Sequence, residues 1–205
     1  MSITHSSIRF AEALCWLAGV LLLGFFVTQM VQGEVRRGQD IELAELAWSG
    51  QTPDQSLWSP GRIEAWQESQ VAAPAHVMAV LEMPDVGLKV PVYLGASDLN
   101  MDRGAGHIAG TALPEGGGNV GIAGHRDGYF RALKDTALGD RLTLLTAAGE
   151  RRYTVDEILI VDPLDVDVLD PTDDQRITLV TCYPFYFVGH APQRYIVIAQ
   201  LDEIF

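Results

Sequence analysis

The stretch Arg152-Tyr153-Thr154-Val155-Asp156-Glu157-Ile158-Leu159-Ile160-Val161 decides the fold class. Tyr153 and Val155 alternate with polar neighbours, and Ile158 and Ile160 carry the apolar pattern onward. Successive side chains of a strand face opposite sides, so this is a half-buried β pattern. The same signature recurs on both sides of it. Val77–Met83 and Leu88–Leu94 come first, with Pro91 inside the second, which marks an edge or a bulge. Asn119–Gly124 follows the turn Pro114-Glu115-Gly116-Gly117-Gly118, and Arg141–Thr146 follows Gly139-Asp140. Arg176–Cys182 and Arg194–Leu201 complete the set, and Tyr129–Thr136 reads as a helix. Many short strands with Gly-rich turns predict a mostly β domain, a closed or nearly closed barrel over residues 76–205.

Upstream the pattern changes. Ala13 to Val31 carries no charged residue and is diluted only by Thr28 and Gln29. As a helix it spans roughly 28 Å, close to the thickness of a bilayer's hydrocarbon core. The residues after it, Gln32-Gly33-Glu34-Val35-Arg36-Arg37, lack a small-x-small cleavage pattern. The expectation is a retained transmembrane helix over 13–31 after a short tail, 1–12. Flanking charge gives no clear orientation, since Arg9 meets Glu12 on one side and Arg36 and Arg37 meet Glu34 and Asp40 on the other. A short tail before a large following domain suits a single pass with the domain on the extracytoplasmic side. Residues 32–75 form a helical or loop spacer, with a short helix starting near Pro60-Gly61 and carrying Ile63 and Trp66. Two roles stay open for it: a docking helix or an adaptable tether.

The chain has 205 residues, 48% of them hydrophobic, with a formal net charge of -13. That composition excludes an intrinsically disordered protein. Its acidity argues against a nucleic-acid partner, because phosphate binding needs a basic footprint. Two cysteines, Cys15 and Cys182, are too few for a disulfide scaffold. With Cys15 in the membrane run, Cys182 is a free thiol.

Three segments carry chemistry: Gly124-His125-Arg126-Asp127, Thr181-Cys182-Tyr183-Pro184 and Arg194-Tyr195-Ile196-Val197. Each lies at the end or start of a predicted strand, and strand ends of a barrel can meet at one rim. A thiolate attacks a carbonyl. An imidazole protonates a leaving amine and later deprotonates an incoming nucleophile. A guanidinium stays charged and donates to a developing oxyanion. Spacing alone does not bring the three together.

From about Gly104 to Leu201 the chain resembles the sortases, membrane-anchored cysteine transpeptidases. The resemblance runs in order through Gly106-His107, Gly110-Thr111-Ala112-Leu113-Pro114 and Gly118-Asn119-Val120-Gly121-Ile122-Ala123-Gly124-His125-Arg126. Phe130-Arg131-Ala132-Leu133, Gly139-Asp140, Leu179-Val180-Thr181-Cys182-Tyr183-Pro184-Phe185 and Arg194-Tyr195-Ile196-Val197 follow. The Thr-Cys-Tyr-Pro-Phe form is similar to class D sortases and the single sortases of Gram-negative bacteria. The resemblance implies a sortase-type closed β-barrel. It also implies Cys182 as the nucleophile of a thioacyl intermediate, His125 as general acid and base, and Arg194 as the oxyanion donor. Thr181 would help shape the substrate groove. The implied partners are a protein bearing a C-terminal Leu-Pro-x-Thr-Gly-type sorting signal and an amine acceptor. No cofactor and no metal are expected.

A sortase-like endopeptidase would release its target by hydrolysis through the same thioester. A papain-like fold is disfavoured, since His125 precedes Cys182. A non-enzymatic binding barrel would leave the Cys182, His125 and Arg194 set without a purpose. His107 and His190 rank as supporting residues, and Arg126 and Arg131 as competitors of Arg194. The segment Asp162–Gln175 holds six aspartates. A Ca²⁺ site is one reading; a solvated acidic loop that attracts a basic tail is the favoured one.

Overall fold

The computed structural model describes residues 14, 16–25, 53–71, 76–187 and 189–204. Residues 16–25 are helical and their apolar side chains, Trp16 and Leu21 among them, are exposed. No helix among the described residues is long and apolar enough to cross a membrane. Much of the predicted 13–31 span, Cys15 included, lies outside the described residues, as do 32–52 and 72–75 of the spacer.

The remainder is a closed eight-stranded barrel. Its strands are β1 (Val77–Met83), β2 (Leu88–Tyr93), β3 (Ala105–His107), β4 (Asn119–Ala123), β5 (Arg141–Thr146), β6 (Gly149–Val161), β7 (Arg176–Tyr183) and β8 (Gln193–Ile204). Around the barrel the order is β1-β2-β3-β4-β7-β8-β6-β5. Helix α1 (Pro60–Ser69) precedes the barrel, and α2 (Asp98–Arg103) links β2 to β3. Closure removes the exposed strand edges that an open sheet presents. Seven strands match the sequence reading. β3 escapes it, because three residues, Ala-Gly-His, are too short to show a period.

Local chemistry explains several details. In β6 the inward residues shift from odd positions (Tyr153, Val155) to an even one (Ile158). A strand cannot change parity without an extra residue, and a register shift between Val155 and Glu157 supplies it as a β-bulge. Pro91 pairs in register with Val80 of β1, with no bulge there, while β3 pairs only with Val92 and Tyr93. Pro91 therefore sits where the strand's second side has no ladder to complete, the position a residue without an N–H tolerates. Tyr129–Asp135 is a 3-10 helix rather than an α-helix. The barrel core is filled by fully buried Leu81, Val92, Ile122, Leu144, Ile177 and Leu179.

Helix α1 docks on this barrel. Ser59 caps its first turn, accepting from the Arg62 amide, and Pro60 stands where a missing N–H costs nothing. Trp58 is buried and meets the ring of Tyr129 edge-on at 4.7 Å between centroids. At the other end the buried Arg103 of α2 donates from Nε to the Ser69 carbonyl at 3.0 Å, pairing a cation with the helix C-terminus. Of the two roles left open for the spacer, this part of it takes the docking one.

Candidate active site

The rim is assembled by strand direction. β4 and β7 run parallel, with Ala123 opposite Val180, so both strands end on the same side of the barrel. β8 runs antiparallel to β7, which sets its start beside the end of β7, with Cys182 opposite Arg194. Val161, the last residue of β6, lies opposite Arg194 on the next strand. His125 follows β4 by two residues. His125, Cys182 and Arg194 thus line one cleft of about 280 Å³, together with Arg62, Arg126, Asp127 and His190.

Each side chain has a local reason for its place. Gly124 extends the ladder, donating its amide to the Val180 carbonyl at 3.1 Å. A Cβ on Gly124 would fall 2.7 Å from the ring of the fully buried Phe130, so only glycine admits this close approach before His125. Thr181 is 2% exposed and does not line the cleft; its hydroxyl donates to the Gly124 carbonyl at 2.8 Å. Its influence on the groove therefore runs through the segment that carries His125. Cys182 is a partly buried free thiol. The Arg194 Nη1 donates to the carbonyl of Gln193 at 3.0 Å.

The loop after Cys182 is held from the His125 side. Arg126 donates to the carbonyls of Pro184 (3.1 Å), Phe187 (2.9 Å) and Gly189 (2.9 Å). Arg131 donates to the carbonyls of Arg126 (3.1 Å) and Phe185 (3.2 Å), with its guanidinium 4.7 Å from the Tyr186 ring centroid. Both arginines are thus committed to bracing this loop. His107 is buried, and its Nε2 donates to the Ala112 carbonyl at 2.9 Å, a structural role as the sequence suggested. His190 differs from its ranking as a supporting residue, because it lines the cleft itself.

Electrostatics centre on His125. Burial pushes its imidazole below the ordinary value, and the Arg62 guanidinium pushes the same way; Asp102, Asp127 and Asp98 pull against them. Asp102 Oδ1 lies 3.5 Å from His125 Nε2 and also pairs with Arg62. Arg62 Nε donates to Asp127 Oδ1 at 3.0 Å, and Ser59 Oγ donates to Asp127 Oδ2 at 2.9 Å. Burial alone would raise the Asp127 carboxyl, but Arg62 and the Ser59 hydroxyl outweigh it and hold it below the usual carboxylate range. Sequence reading missed Arg62 and Asp102 altogether. The one available signal was the Trp58-Ser59-Pro60 helix start, which locates a helix and says nothing of what it touches.

The six aspartates of 162–175 are all exposed. No group of three or more His, Cys, Asp or Glu able to hold a metal ion occurs among the described residues. The segment is anchored from below: Asn119 Nδ2 donates to the carbonyls of Val168 (2.9 Å) and Asp170 (3.2 Å), and the Thr178 hydroxyl donates to Asn119 Oδ1 at 2.7 Å.

An eight-stranded barrel with a thiol, an imidazole and a guanidinium at one rim defines a class, and comparison with known proteins supplies the family. Residues 81–202 match the Sortase domain family model. The chain belongs to the sortase family. It is 27% identical to Sortase D of Bacillus subtilis over 183 residues, covering 88% of this chain and 91% of that relative. It is 29% identical to Sortase A of Listeria monocytogenes over 131 residues, covering 62% of this chain and 57% of that relative. Among solved structures, a Clostridium perfringens Sortase D5 transpeptidase superposes with a TM-score of 0.59 at 25% identity, covering 83% of this chain and 99% of that one. Listeria monocytogenes sortase A superposes with a TM-score of 0.57 at 28% identity, covering 62% and 88%.

Proposed function

We propose that this sortase is a class D-like cysteine transpeptidase, anchored through residues 13–31 with its barrel on the extracytoplasmic side. The observation that carries the reading is the convergence of His125, Cys182 and Arg194 on one cleft in a chain of this family. Cys182 Sγ, as thiolate, attacks the carbonyl carbon of a Leu-Pro-x-Thr-Gly-type signal between Thr and Gly. Arg194 donates to the oxyanion. The C–N bond breaks, and His125 gives its proton to the departing amine. An incoming amine then attacks the thioester carbonyl, His125 takes up its proton, and Cys182 leaves as thiolate.

Class D character is supported by the extent of the match to Sortase D. A Gram-negative source rests on the chain's acidity and its preference for arginine over lysine. The anchor is supported by the uncharged 13–31 run and by the exposed apolar side chains of the helical residues 16–25. The test incubates the full chain with a Leu-Pro-x-Thr-Gly peptide library, with and without an amine, and reads products by mass spectrometry. Amine-dependent joined product is expected. Cleavage at the same rate regardless of amine assigns hydrolysis instead. Product formation by Cys182→Ala would overturn both covalent schemes.

A further inference from the structure

Arg62 stands outside the matched family segment, on a helix that precedes the barrel, yet it enters the cleft. We propose that Arg62, acting with Asp102, is a positioning residue for His125, holding the imidazole in the cleft through a charge cluster that α1 brings in from outside the barrel. This deepens the transpeptidase reading and rests on His125 being its acid–base group.

The geometry is specific. Asp102 Oδ1 is shared between Arg62 and His125 Nε2, at 3.5 Å from the latter. Arg62 Nε also reaches Asp127 Oδ1 at 3.0 Å, so one guanidinium ties α2 to the turn that follows His125. The stem of Arg62 lies against Gly128, where a Cβ would come within 3.3 Å of its Cγ and Cδ. Arg62 and Asp102 are mostly buried, with side-chain exposures of 16% and 21%. A planar fork bridging two carboxylates fixes both partners in direction as well as distance.

His125 faces charged or titratable side chains from every neighbouring element. These are Arg62 on α1, Asp98 and Asp102 on α2, Arg126 and Asp127 on its own turn, Cys182 on β7, His190 in the following loop and Arg194 on β8. Within this set, Arg62 opposes protonation of the imidazole, while Asp102 and Asp127 favour it. The cluster therefore holds the ring and tunes its proton occupancy. A helix that merely covered the barrel would act on that occupancy through burial alone, and neutralising Arg62 while keeping its bulk would leave it unchanged.

The test compares the full chain with Arg62→Gln, Arg62→Lys and Asp102→Asn. His125 is titrated by NMR, its resonance assigned by comparison with His125→Gln, and the pH profile of kcat/KM is recorded alongside. Arg62→Gln is expected to raise the His125 titration midpoint, because Asp102 and Asp127 lose their shared cation. Asp102→Asn is expected to lower it, and Arg62→Lys to keep it near the parent value. Turnover should fall on the order of 10-fold in Arg62→Gln, with partial recovery in Arg62→Lys. Identical midpoints in all variants, or shifts of the same sign in Arg62→Gln and Asp102→Asn, would overturn the proposal. If Arg62→Gln releases α1, the Asp102→Asn and Arg62→Lys arms decide by the same signs. The NMR arm needs no turnover, so a failed transpeptidase reading is told apart from a failed positioning role.

Discussion

Thr181→Val isolates the link between the Cys182 strand and the His125 segment. Valine keeps the shape of threonine and opens no cavity, so the change removes one donor and little else. Thr181 is 2% exposed and donates to the Gly124 carbonyl at 2.8 Å. Loss of that donor weakens the satisfaction of a buried carbonyl, which costs about 2 kcal/mol. With a urea dependence of roughly 2 kcal/mol per molar, the unfolding midpoint should fall by about 1 M. His125 is the next residue after Gly124, so the same change should displace the imidazole and lower kcat on the order of 10-fold, with KM changed less. Urea unfolding of the full chain and steady-state kinetics on one peptide check both halves. An unchanged midpoint would show that the hydroxyl bears no strain of the fold. A raised KM at full kcat would refute the positional account and return Thr181 to direct contact with substrate.

Other outcomes follow from the same geometry. Cys182→Ala should abolish turnover and the adduct with a thiol-alkylating probe, read by intact mass. Arg194→Ala should lower kcat on the order of 100-fold, and Arg194→Lys should recover little of it, since a point charge does not copy the planar fork. Asn119→Ala should destabilise the fold by about 2–4 kcal/mol and expose the 162–175 segment to protease, because its amide holds Val168, Asp170 and Thr178 together. The depressed His125 value means that the unfolded chain binds more protons just below the ordinary imidazole value. Stability should therefore rise with pH through that window, and His125→Gln should flatten the rise in denaturant titrations. Asp127 acts with the same sign in a more acid window: its depressed carboxyl contributes stability above the usual carboxylate value that is lost as pH falls through the folded one, and Asp127→Asn should remove that acid-side loss.

Much of the barrel was legible residue by residue. β1 and β5 fall where alternation and turns predicted them, and β6 was recognised by Tyr153 and Val155. Its bulge is written in the parity change between Val155 and Ile158. His125, Cys182 and Arg194 were legible by type and by position at strand ends. β3 was not, being too short for a period. Neither was the rank of His190, since which loop residues turn into a cleft depends on how the loop is braced, here by Arg126.

What the chain's sequence determined by itself is local: the period of its strands, its turn residues, its helix start at Ser59-Pro60 and the chemical identity of its reactive groups. These follow from side chains a few residues apart, so they are readable along the line. The tertiary structure alone decided who meets whom. Parallel pairing of β4 with β7 brings His125 to the Cys182 rim, and no periodicity states that partner. Docking of α1 carries Arg62 to Asp102, 40 positions away, and to Asp127, 65 positions away. Such contacts are fixed by the path of the folded backbone and by the burial that makes a shared charge worth holding, neither of which is a property of any short stretch of sequence.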